Sequence, residues 1–232
     1  MGWLNQVGID TERKPVYAFF HASFQEYFAA TAIDDWDFFL PRHHKNKPIE
    51  NKQYRIFTPQ WKQTILLWFG RKDLPKAQKE AFIQALINFQ DGCVKYKGKS
   101  FYGYRAYFLA AAAIAEFKDC EQADPIVKQI VDWELYNSLM REQAKVALQE
   151  TERIKAIAAL VQLLDTSQDQ DTRRYAAESL GKIDKRYNSM YEFIWQCAQN
   201  LPYPEFYQAW HQPFLATRLL RSLKSILFMR IF

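Results

Sequence analysis

The sequence predicts an all-α chain in which stacked helix pairs form a solenoid, preceded by a short β segment. Three observations carry this reading. Only seven of the 232 residues are glycine, too few for the many tight turns of a sheet-rich fold. From about residue 101 onward, helical segment follows helical segment with short polar breaks. Within that stretch Arg141, Ala144, Ala147 and Leu148 match Arg174, Ala177, Leu180 and Gly181 at an offset of 33 residues. Leu160, Val161 and Leu164 match Phe193, Ile194 and Cys197 at the same offset, and Arg105, Ala111 and Ala112 form a fainter copy 36 residues before the first. A helix pair cannot bury its apolar face alone, so repeated pairs stack.

In chain order, Val16 to Phe20 follow Pro15 and are β-prone. Ser23 is placed to cap a helix from Phe24, with Glu26 in its first turn. Phe24, Tyr27, Phe28 and Thr31 fall at helical spacing, which predicts a buried aromatic face, and Pro41 is expected to end the helix. Residues 41 to 59 read as a basic polar connector. Two helices follow, Trp61 to Phe69 ending at Gly70 and Lys76 to Phe89 ending near Gly92, each with a glycine cap. Residues 92 to 100 form a second basic loop.

Composition narrows the function classes. Hydrophobic residues make up 49% and charged residues 25%, the balance of a globular chain rather than a disordered one. A formal charge of +5 is too small to identify a nucleic-acid binder. Three widely spaced cysteines imply no disulfide framework, and no apolar run reaches the roughly 20 residues of a membrane span. The expected location is the cytoplasm. The apolar stop at Ile226 to Phe232 and the abrupt start predict a piece of a longer chain.

Three stretches resemble known families. Asp169 to Lys185 (DQDTRRYAAESLGKIDK) resembles a HEAT repeat of the short bacterial type, which also occurs in phycobilisome lyases. The resemblance implies that Asp171 or Thr172 starts the helix, that Arg174 and its repeat equivalent Arg141 join a ladder between repeats, and that Ala177, Leu180 and Gly181 pack. Phe20 to Ala30 (FHASFQEYFAA) resembles the winged-helix signature of NACHT-type (STAND) signal-transduction NTPases. Cys197 to His211 (CAQNLPYPEFYQAWH) resembles the Cys- and His-containing helical domain that ends many cyanobacterial NACHT proteins. Together they imply a winged-helix remnant over residues 1–40, a helical linker over 41–100, HEAT-like repeats over 101–199 and a truncated C-terminal helical segment over 200–232.

In the NACHT family the winged-helix histidine, here His21, contacts the phosphates of bound ADP. The resemblance thus implies nucleotide sensing, with ADP or ATP bound only in a full-length parent that supplies an upstream NTPase domain. No cofactor is expected for the chain alone, and no enzymatic activity. The expected partners are that NTPase domain and a protein or trigger ligand recognised by the repeats. The competing expectation is a stand-alone HEAT-repeat adaptor or phycobilisome-lyase-like assembly factor.

Other motifs are weaker. Gly92 to Ser100 approaches a phosphate loop, but five residues separate its glycines where four are needed, and a helix rather than a strand precedes it. It reads as a solvated basic turn. Cys197 and His211 lack the further ligands of a zinc site and the base and oxyanion groups of a nucleophilic site, so Cys197 reads as core. His43 and His44 are adjacent and diverge, which disfavours a shared metal. The basic loops with Tyr54, Tyr96 and Tyr102 could grip nucleic acid, but read as solvated. Arg218, Arg221 and Lys224 alternate with apolar residues as in a membrane-surface helix or a helix lacking its packing partner, and the latter is expected.

Overall fold

A computed structural model describes residues 4–93 and 99–183. Among them are eight α-helices and one two-stranded sheet. The chain divides into two compact units, Met1–Ile126 and Val127–Phe232, and the boundary falls inside a helix.

The first unit opens with a hairpin, β1 (Leu4–Ile9) paired antiparallel with β2 (Pro15–Phe19). Asp10 closes its turn, because its carboxylate accepts from the Glu12 and Lys14 amides at 2.8 Å each. The register slips between Gln6 and Gly8, leaving an extra residue at Val7. β2 covers the sequence-predicted strand up to Phe19. Its partner β1 was not legible, because Leu4–Ile9 lacks strict alternation and carries a glycine.

Helix α1 (Ala22–Ala32) begins one residue before the expected cap. His21 is the N-cap and Ser23 lies inside the first turn, so the predicted Ser23 cap is not formed. Glu26 falls outside that turn, which carries no acidic residue. The helix ends at Ala32, well before Pro41. There the Arg71 guanidinium donates to the Ala30 and Ile33 carbonyls at 2.9 and 2.7 Å, satisfying the open helix end. Asp73, at 2.6 Å, holds that guanidinium in place and raises the Arg71 pKa.

The core of this unit is aromatic. Trp36 and Phe39 come from the segment after α1, Trp68 and Phe69 from α2 (Lys62–Gly70), and Phe82 from α3 (Lys76–Ile87). All five are buried. α4 (Phe101–Glu116) packs on α2 and α3 through the buried run Ala110 to Ala113, whose small side chains allow close approach. Gly70 is the last residue of α2 rather than a left-handed cap, and a Cβ there would meet Glu116 of α4 at 3.4 Å. α3 ends at Ile87 with Asn88 as its cap. Gly92 lies beyond it, at φ +69° in the following loop.

The boundary lies in α5 (Ala123–Tyr136). The second unit continues through α6 (Arg141–Glu150), α7 (Arg153–Thr166) and α8 (Gln170–Ile183). Leu148, Leu160 and Leu180 are fully shielded, with Ala144, Ala156 and Ala176 between the helices. α8 starts one or two residues before the positions expected. Asp169 is its cap, accepting from the Thr172 amide at 2.7 Å.

Candidate functional site

His21 sits at the N-terminus of α1 with extended backbone (φ −132°, ψ 140°), and its side chain caps nothing. It is exposed, and its ring meets Phe20 edge-on at 5.7 Å. Around it the expected buried aromatic face is open to solvent. Phe20 is 69% exposed, Tyr27 52% and Phe28 43%, although Phe28 stacks on Phe19 of β2 at 5.6 Å. Leu4, Val7, Ile9, Val16 and Tyr17 of the hairpin are exposed as well. The periodicity was correctly read as an apolar stripe, but a stripe does not say what covers it. With no acid in its first turn, the positive end of α1 beside His21 is unneutralised, which favours an anionic neighbour.

In the second unit one pair of residues 33 apart meets across α6 and α8. Lys145 and Glu178, 33 residues apart, form an ion pair of 2.9 Å between α6 and α8. The repeat-equivalent Arg141 and Arg174 both lie over the ring of Tyr175, at 4.8 and 4.9 Å. Arg141 also donates to the Glu134 and Leu135 carbonyls near the end of α5, at 3.0 and 3.3 Å. Arg174 is more exposed and pairs with Asp171 on its own helix at 3.3 Å. Ala177 and Gly181 are buried.

Glu134 of α5 was not singled out by sequence. It is 2% exposed; Ser179 of α8 donates to one carboxylate oxygen and the other has no partner. Burial raises its pKa, with Glu178 adding to the rise, against the Ser179 hydrogen bond and the Lys145 and Lys182 charges. A carboxyl with a raised folded-state pKa contributes stability that is present below its unfolded pKa and is lost as pH rises through the folded value. Glu134→Gln is therefore expected to stabilise the second unit near pH 7 by on the order of 1 kcal/mol. The gain should vanish in acid, and chemical denaturation at pH 4 and pH 7 checks it. A destabilised variant at pH 7 would show that the charge is needed where it lies.

The connector at 41–59 is not merely solvated. His44 stacks on Phe89 at 4.3 Å and 3°, with its two ring nitrogens 2.8 Å from the Tyr54 hydroxyl and 2.7 Å from the Gln90 carbonyl. His43 is exposed. In the phosphate-loop-like stretch, Lys99 turns inward to donate to the Ile87 carbonyl at the end of α3, so it stands at a helix terminus. Cys120 is buried, and burial pushes its thiol up to about 11, an unreactive setting. Among the described residues no group of three or more His, Cys, Asp or Glu could hold a metal ion, and no helix is long and apolar enough to cross a membrane. Tyr96, Cys197, His211 and Arg218 to Lys224 lie outside the described residues, as do Phe193 and Ile194.

Residues 184–211 match the family model described as NACHT C-terminal Cysteine and Histidine-containing. That stretch is similar to the C-terminal region of NACHT proteins. The match spans both Cys197 and His211 and begins just after α8. No curated protein and no solved structure matches the chain.

Proposed function

We propose that the chain is the regulatory and sensor portion of a NACHT-family signalling ATPase of cyanobacterial type, acting in the cytoplasm and without NTPase activity of its own. The match at residues 184–211 carries this reading. The apolar face around His21 supports it, because a winged-helix remnant docked on an upstream NTPase domain needs such a surface. His21, at a helix end that favours anions, would contact the phosphates of ADP held by that domain. The 33-residue register between α6 and α8 fits HEAT-like repeats, whose surface would take a protein partner or trigger ligand. A trigger would act by binding the open state more tightly than the closed one.

The test is ADP binding by calorimetry, on this chain and on the chain extended upstream through its reading frame. The extended form is expected to bind, and His21→Ala to weaken its binding about tenfold, the loss of one charge-assisted hydrogen bond. If the extended form does not bind, or His21→Ala binds equally well, the sensor reading fails and a plain repeat adaptor takes its place.

A further inference from the structure

Residues 42–55 are one of the basic stretches of the chain, with five Lys or Arg against a single acid, Glu50, a net of +4. Four residues of this segment, Arg42, His43, Ile49 and Lys52, line an open cleft of about 440 Å³ in the first unit, with Asp35, Asp37 and Pro41 completing the wall, a volume in the range of small-molecule sites.

The cleft is firmly built. Arg42 is held at three points. Its Nη2 donates to both Asp35 carboxylate oxygens at 2.6 and 2.7 Å. Its amide donates to Asp37 at 2.8 Å, and its guanidinium lies 4.4 Å over the Trp36 ring. Burial alone would raise the Asp35 pKa, but the Asp37 amide and Arg42 outweigh it and hold this carboxyl below its ordinary value. One wall acid is therefore engaged as a counter-ion and the other as an amide acceptor. Next to His43 in sequence, His44 is stacked and hydrogen-bonded on both sides, and the Tyr54 hydroxyl accepts from the amide of Ile49, a wall residue, at 3.1 Å.

Two wall side chains remain unengaged. His43 and Lys52 line the cleft and are exposed, and their side chains have no hydrogen bond or ion pair among the described residues. Pro41 and Ile49 add an apolar part to the same wall. A fixed guanidinium with spare N–H groups, a free lysine and a free histidine around a pre-formed cleft offer donors to a compact anion.

We propose that this cleft binds a small phosphorylated ligand, its phosphate held by Lys52, His43 and the remaining N–H groups of Arg42. The site is separate from His21 and does not depend on the NACHT reading. It gives the first unit a ligand-responsive element of its own.

The probe is pyrophosphate, titrated calorimetrically into the full chain at low ionic strength, with citrate and a 20-nucleotide single strand as comparison ligands. Saturable one-to-one binding of pyrophosphate is expected, weakened about tenfold in Lys52→Gln and again in His43→Gln. Both are exposed positions where substitution leaves the fold intact, which the thermal unfolding midpoint verifies. Citrate binding as tightly would reassign the site to carboxylates. Binding of the oligonucleotide alone would overturn the small-ligand proposal in favour of a nucleic-acid surface. Pyrophosphate affinity unchanged in both variants would remove the cleft as the site.

Discussion

Phe82→Ala is expected to lower the stability of the first unit by about 3–5 kcal/mol, the cost of truncating a fully buried aromatic in a core that cannot collapse around the gap. Phe82 has no exposed surface and lies among four other rings. It stacks on Phe69 at 5.1 Å and 13°, on Trp36 at 5.3 Å and 6°, and on Phe39 at 6.0 Å and 2°. Trp68 meets it edge-on at 5.7 Å. Offset and edge-to-face pairs of this kind contribute beyond the area they bury. The segment after α1, helix α2 and helix α3 all converge on this ring, so its loss loosens three elements at once. Urea unfolding followed by tryptophan fluorescence reads the effect directly, because Trp36 and Trp68 touch Phe82. A loss below about 1 kcal/mol, the range of exposed substitutions, would mean that the rings do not form one core.

Gly92→Ala is the second large effect, expected to cost about 2–4 kcal/mol from left-handed strain and forced displacement together. Gly92 has φ +69°, where side chains other than glycine are strained. A Cβ there would also stand 2.1 Å from the backbone oxygen of Asn46. Backbone cannot swing aside as a lysine tip can, and His44, two residues from Asn46, is pinned to Phe89 and Gln90. Gly8→Ala is the matched control, with nothing within 4 Å of its Cβ and no positive φ. It should change the unfolding midpoint little. Equal midpoints for the two variants would show that the loop yields.

The positions of most helices were legible because their signals are local. The apolar spacing within Lys76–Ile87, Phe101–Glu116 and Gln170–Ile183 reports a 3.6-residue period that needs no knowledge of the rest of the chain. Their ends were less legible. Gly70 and Gly92 both looked like helix caps, yet one faces Glu116 and the other Asn46, contacts made across 46 residues of sequence. The 33-residue register could be read from small residues alone, but the Lys145–Glu178 pair and the shared Tyr175 ring needed two helices side by side.

The candidate sites divide in the same way. His21 could be singled out as a candidate from its neighbours in sequence, because the residues that mark it are contiguous. The buried Glu134 could not, since its partner Ser179 lies 45 residues away and nothing in α5 announces that this carboxylate faces inward. Nor could the anion cleft, whose basic residues looked like a solvated connector until Arg42, His44 and Tyr54 proved to be anchored. Local pattern was enough to predict a mostly helical chain with an apolar stripe on α1, because backbone propensity and periodicity are properties of adjacent residues. Which stripe is covered, which carboxylate is buried and which cations are left free were decided by packing. Burial and desolvation depend on what arrives from distant parts of the chain.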